Sequence, residues 1–253
     1  GLTESLLPKA SPGLWDRGAH LRIKLSDGEL ASADLLSVLN GANAMAIGDG
    51  SGSNWEVFQF ADAQLVAPMT YEISTRLRGQ LGTDGLMPAV WPIGSTVVLL
   101  DLALVQLDFP VSALGLARHY RVGITSRGYD DLNAIHRIEA FDGAGLRPYP
   151  VAHLRMVVDG SSNHLLTWKR RTRIGGDNWQ ALDVPLGEES EAYIVRIVQG
   201  DEIKAEYTVS TPLFAYTPAM RAADGIVGPY RTDVSQISAL IGPGPFRGLD
   251  ILA

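Results

Sequence analysis

A chain of 253 residues, 46% hydrophobic and 19% charged, is long enough for one large domain or two ordinary ones and too apolar to be disordered. Its net charge of −7 excludes a strongly basic nucleic-acid binder. The absence of Cys excludes disulfides and thiolate metal sites, and no run of 18 apolar residues is present to cross a membrane as a helix.

The chain opens "GLTESLLPKA", without an initiator Met or a signal peptide, as expected of a processed protein or a segment of a longer polypeptide. Gly (27) and Pro (14) are frequent enough to favour many turns and short strands. Two-residue alternation then recurs, which predicts half-buried strands. In "HLRIKL", Leu21, Ile23 and Leu25 oppose His20, Arg22 and Lys24. "SADLLSVLNGAN" is the one helix candidate, with Ser32 or Asp34 as cap and Asn40-Gly41 as its left-handed end. "NWEVFQF" and "STVVLL" read as strands covered on both faces. In "YEISTRLR", Tyr71, Ile73, Thr75 and Leu77 oppose Glu72, Ser74, Arg76 and Arg78, and in "HYRVGI", Tyr120, Val122 and Ile124 oppose His119 and Arg121. The longest apolar stretch, "STVVLLDLALVQLDF", is predicted to form buried strands interrupted at Asp101 and Asp108.

The Pro-flanked segment "GLRPYPV" reads as a linker, dividing the chain into a β-rich domain (1–147) and a second domain (148–253). The first part holds 11 basic and 16 acidic residues, net −5, and the second 10 and 12, net −2, so neither has the surplus of a duplex-binding module. In the second part "AHLRMVV", "HLLTWKRR", "EAYIVRIV", "EIKAEYTV", "VSQISALI" and "FRGLDIL" follow one another with no helix between them, which predicts an antiparallel sandwich and an all-β protein. Ile203, Ala205, Tyr207 and Val209 are expected to face the core.

The basic run "TWKRRTRIGGDNW" lies in this second part. As a continuous strand it places Leu166, Trp168 and Ile174 on the core side, with Arg170 packing its stem beside Trp168, and leaves Lys169, Arg171 and Arg173 as a solvated face. No Gly-Lys-Ser/Thr sequence follows its glycines, so a phosphate-cradling loop is not indicated.

With Trp168 on the second strand and Tyr193 and Val195 on the third, residues 151–253 resemble a fibronectin type III module. The insertion "IGGDNWQALDVPLGEES" is longer than that family's usual connection, and no tyrosine-corner residue stands near Asp233-Val234. A wider resemblance rests on "LLSVLNGANAMAIG", "WEVFQFADAQLVAPMTYEISTRLRGQLGTD", "VVLLDLALVQL", "LRPYPVAHLR", "WKRRTRIGGDNW" and "VPLGEESEAYIVRI", in that order. These blocks resemble the C-terminal part of the host specificity, or megatron, tail protein of alphaproteobacterial gene transfer agents and siphophage-like tails. The resemblance implies a virion location at the tail tip or baseplate and a homotrimer about the tail axis. It implies hub and distal tail proteins as partners, and a role in host attachment and envelope penetration for DNA delivery. A carbohydrate-binding or cell-surface adhesive sandwich, free or attached to a glycosidase, is the alternative.

Candidate sites are few. Arg76 and Arg78 beside Asp84 in "STRLRGQLGTDG" read as a salt-bridged strand end before a glycine turn rather than an anion site. His20, His119, His136, His153 and His164 stand singly, so no metal centre is expected. The acids of "GYDDLN" and "GEESEA" read as loop charge, and no Gly-x-Ser-x-Gly elbow exists, so no catalytic residue and no cofactor is predicted. Trp179, with Glu188 and Glu189 in the long insertion, is the candidate receptor or glycan contact. Trp168, Tyr193, Val195 and Tyr207 are the expected structural core of the second domain.

Overall fold

The computed structural model describes residues 1–176 and 183–252 and shows an all-β protein. Two compact units are present, unit 1 being Gly1–Gly145 and unit 2 beginning at Leu146.

Unit 1 is built from β1 (Leu2–Thr3), β2 (Leu7–Pro8), β3 (Trp15–Asp16), β4 (Leu21–Lys24), α1 (Leu35–Leu39), β5 (Ala44–Gly48), β6 (Trp55–Ala67), β7 (Thr70–Gln80), β8 (Val90–Trp91) and β9 (Thr96–Leu99). The sheet runs β7-β4-β1-β9-β5-β6, every pairing is antiparallel, and β6 pairs again with β7, so six strands close into a barrel. Closure removes the exposed sheet edges. Length makes it possible: β7 holds β4 at Thr70–Ile73 and β3 at Arg76–Leu77 on one side and β6 along the other. Leu21, Ile23, Met45, Ile47, Phe58, Phe60, Ile73 and Val97 fill the interior. The predicted helix forms as α1: Asp34 caps it by accepting from the Ser37 N–H at 3.0 Å, and Gly41 turns away at φ 103°. Gln59 ties it to the barrel, donating to the carbonyls of Val38 and Ala42 at 2.6 and 2.9 Å.

The apolar run after β9 departs from expectation. Strand stops at Leu99; Leu102, Val105 and Leu107 are exposed. The run has apolar residues but no partner strand within the barrel, which is already closed. Beyond it, β10 (Arg118–Val122) and β11 (Ile135–Glu139) pair only with each other. Val122 and Ile124, predicted to face inward, are exposed. Among the described residues from 101 to 145, Ala113 alone is buried. A small ring cluster of Phe109, Tyr120 and Phe141 supports the hairpin.

Unit 2 comprises β12 (Ala152–Val158), β13 (His164–Lys169), β14 (Tyr193–Gln199), β15 (Glu202–Val209), β16 (Leu213–Tyr216), α2 (Pro218–Ala223), β17 (Tyr230–Ser238), β18 (Gly242–Pro243) and β19 (Arg247–Ile251). One sheet runs β12-β13-β16 and the other β15-β14-β17, with β18 and β19 both pairing with β17. Three strands thus face five, two of them short partners of β17 in succession, in a fibronectin type III-like sandwich. Trp168 on the second strand meets Tyr193 on the third edge-to-face, ring centroids 5.2 Å apart. Both are buried with Val195, and Tyr207 packs half-buried against them.

Two expectations need correction here. A helix does interrupt the strands: Thr217 caps α2 and Pro218 starts it. The four-residue strand "LFAY" (β16) adds to those predicted. Ile203 is exposed, because the β14–β15 register shifts at Ile197/Val198 and moves the strand end out of phase.

Candidate functional site

Two polar clusters draw attention first. In unit 1, Arg76 and Arg78 are buried rather than outward-facing, with Arg78 fully inaccessible. Thr75 takes φ 52° in the middle of β7, which breaks the alternation and turns both arginines inward. Arg78 forks onto Glu56, Nε to Oε1 at 2.7 Å and Nη2 to Oε2 at 2.8 Å, and donates by Nη1 to the Pro8 carbonyl at 2.8 Å. Glu56 also accepts from the Trp91 indole at 2.7 Å and the Gly79 N–H at 3.1 Å. Arg76 donates to Asp16 at 3.0 Å, and Asp16 lies 3.4 Å from Arg78 as well. Burial pushes the Asp16 carboxyl up, but hydrogen bonds from Arg76 and Gly18 and the two guanidinium charges outweigh it and hold it below its ordinary value. Every buried charge here has a partner, so the cluster fastens β3, β6 and β7 together and leaves no opening for an external anion. The arginines are salt-bridged as expected, but the sequence paired them with Asp84, and the acids they meet are Asp16 and Glu56.

Gly79 explains the phrase "LRGQLGTD". Its φ is 61°, and a Cβ there would stand 2.6 Å from the Asp84 Cα, so the turn tolerates neither the bulk nor the conformation of another residue.

In unit 2 the basic run ends its strand at Lys169. Trp168 is core as expected, but Ile174 is exposed, and the arginines do not form a solvated face. Arg170 donates to the Val184 carbonyl at 2.6 Å and pairs with Asp183 at 3.0 Å and Glu191 at 3.4 Å. Arg171 lies over the Tyr149 ring, 4.8 Å from its centroid. Arg173 pairs with Glu188 at 2.9 Å. The run is therefore a clamp that gathers both ends of the long insertion onto the sandwich.

The clamp revises the candidate contact residues. The Glu188 side chain is 4% exposed and held by Arg173, so it has no surface to offer a receptor. Glu189 is exposed, but one of its carboxylate oxygens accepts from the Ala239 N–H at 3.1 Å and the Ser238 hydroxyl at 3.4 Å. Backbone hydrogen bonding, its own N–H first, keeps its carboxyl below the ordinary value. Trp179 lies outside the described residues.

Other candidates resolve into structural roles. Asp131 caps its own turn through Asn133. His164 meets the Tyr230 hydroxyl at 2.6 Å. The Tyr207 and Tyr216 hydroxyls both donate to Asp224 at the end of α2, at 2.7 and 2.6 Å. Sequence reading missed one pair: His119 Nδ1 and His136 Nε2 stand 2.9 Å apart across the β10–β11 hairpin. Seventeen residues separate them, so only the hairpin register could reveal it. Among the described residues no group of three His, Cys, Asp or Glu side chains is placed to hold a metal.

Residues 1–98 match the family model described as Rcc01698-like, C-terminal. No curated protein matches the chain. Among solved structures, domains d3–d4 of the rat CD45 extracellular region are 10% identical, with 61% of this chain and 72% of that one covered at a TM-score of 0.32. The FN1–FN3 domains of chicken CNTN1 are 14% identical, with 97% and 67% covered at a TM-score of 0.29. At such scores neither likeness bears on what the chain does.

Proposed function

We propose that this chain is a non-catalytic structural module at the tip or baseplate of a phage-like tail of the gene transfer agent kind, contributing to host attachment and envelope penetration. The observation that carries the reading is where the family match falls. Residues 1–98 take in the whole closed barrel except the last residue of β9, so the match follows a structural unit rather than a scattered motif. The sequence blocks beyond residue 98 that resemble the same tail protein lie largely on β12, β13, the clamp and β14, which are the framework of unit 2.

On this reading the partners are hub and distal tail proteins, further copies of the chain about the tail axis, and a host receptor or glycan. Closed cyclic symmetry, three copies in this case, gives each subunit an equivalent neighbour. The host-facing element is the Gly175–Ser190 insertion, with Trp179 and Glu189 as contacts and the Arg173–Glu188 pair as its tether. The test is a particle carrying a shortened Gly175–Ser190 loop. It should assemble and lose adsorption to host cells; assembly with parental adsorption removes the loop from the account.

A further inference from the structure

Strand β12 does not run evenly against β13. Ala152 faces Lys169, but the next partners are Arg155 and Thr167, so His153 and Leu154 together stand opposite Trp168. His153 takes φ 52°, a conformation uncommon and costly for a residue with a Cβ. An extra residue of this kind disrupts the ladder and re-aims side chains. Here it adjoins a cavity of about 390 Å³ lined by His153, Leu154, Arg155, Thr167, Trp168 and Lys169. That volume lies in the lower range of small-ligand sites, roughly 300–1,000 Å³.

The lining has one electrostatic sense. Its two charged residues, Arg155 and Lys169, are exposed cations, His153 is exposed beside them, and no carboxylate joins them. The Arg155 Nε donates to the Thr167 hydroxyl at 3.1 Å, which orients the guanidinium and leaves both terminal amino groups without a partner among the described residues. Lys169 makes no ion pair among the described residues either, although the three arginines that follow it are all engaged. Cations gathered without an acid repel one another, and an external anion relieves that.

We propose that this bulge binds an acidic sugar unit, one carrying a carboxylate or a phosphate. The Arg155 fork and the Lys169 ammonium take the anionic group, since a guanidinium matches carboxylate and phosphate with two parallel hydrogen bonds. Thr167 and His153 serve the sugar hydroxyls, and the partly exposed Leu154 forms the apolar side. A bare oxyanion would leave most of the cavity and its apolar side unused. The inference concerns the chain alone and does not depend on the tail-tip reading.

The test titrates the isotope-labelled full-length chain with galacturonic acid and, separately, glucose 6-phosphate. Galactose serves as the neutral control and inorganic phosphate as the bare-anion control. At least one acidic sugar should shift the amides of residues 152–155 and 167–169 with about millimolar affinity, with galactose inert and phosphate at least about tenfold weaker. Arg155→Gln combined with Lys169→Gln should weaken binding at least about tenfold at an unchanged melting temperature. If the double variant misfolds, Lys169→Gln alone decides in the same way. The proposal is overturned by no localised shifts at tens of millimolar sugar, by equal binding of galactose or inorganic phosphate, or by undiminished binding in the variant.

Discussion

Replacing Glu56 with Gln tests whether the buried charge network holds the barrel. Glu56 is fully inaccessible and accepts four hydrogen bonds, two from Arg78 and one each from Trp91 and Gly79. The substitution keeps the shape and removes the charge. Arg78 is then left buried with the Pro8 carbonyl and an Asp16 oxygen 3.4 Å away. Breaking a buried pair by removing one partner costs about 3–5 kcal/mol. For a unit of this size that lowers the melting midpoint by roughly 10–20 °C. Glu72→Gln is the control: the Glu72 side chain is partly exposed on β7, 3.5 Å from a well-exposed His20, and its loss should stay within about 0.5 kcal/mol. Hydrogen exchange by mass spectrometry reads each unit separately. The amides of 54–60 and 74–80 should lose protection in Glu56→Gln while β12–β19 keep theirs. A midpoint within about 2 °C of the parent, with Arg78 and Gly79 still protected, would refute the reasoning.

Further outcomes follow from the same contacts. Trp168→Ala should destabilise unit 2 by about 3–5 kcal/mol, checked by its denaturant midpoint; an unchanged midpoint would mean the indole is not core. Gly79→Ala should cost roughly 2–5 kcal/mol from strain and overlap with Asp84, read as lost protection at the β7 end. Burial first, then hydrogen bonds to Glu191 and Asp224, pushes the hydroxyl pKa of Tyr193 and Tyr216 upward, and burial pushes Tyr230 to about 12. A tyrosine whose pKa is raised on folding stabilises fully below the unfolded value near 10 and loses that contribution above it. As pH rises above about 10 unit 2 should therefore lose stability, seen as alkaline unfolding by circular dichroism; a flat stability profile there contradicts the assignment. We also propose that residues 148–253 form an independent domain, which should fold when expressed alone; a disordered spectrum would refute it.

Legibility in the sequence followed how local each signal was. The bounds of "AHLRMVV" and "EIKAEYTV" are legible because their turns are local, whereas the His153 bulge and the exposed Ile203 depend on the partner strand's register. The α1 cap and its glycine end were legible for the same reason. Barrel closure was not, since it depends on β7 meeting strands from both ends of the unit. Arg76 and Arg78 read as surface residues because one positive-φ threonine inverts the pattern after it. Arg173 reads as part of a solvated face because its acid, Glu188, lies 15 residues away. The run from Asp101 to Asp108 read as buried because hydrophobicity alone does not reveal that the barrel already has all its strands.

The most direct measurement is imaging of the source particle by cryo-electron microscopy, with a labelled antibody against residues 148–253 marking the chain. The account predicts label confined to the tail tip and density there into which the six-stranded barrel fits in symmetric copies about the axis. A chain found as a free monomer, with no tail structure in its source or with label away from the tip, would contradict it.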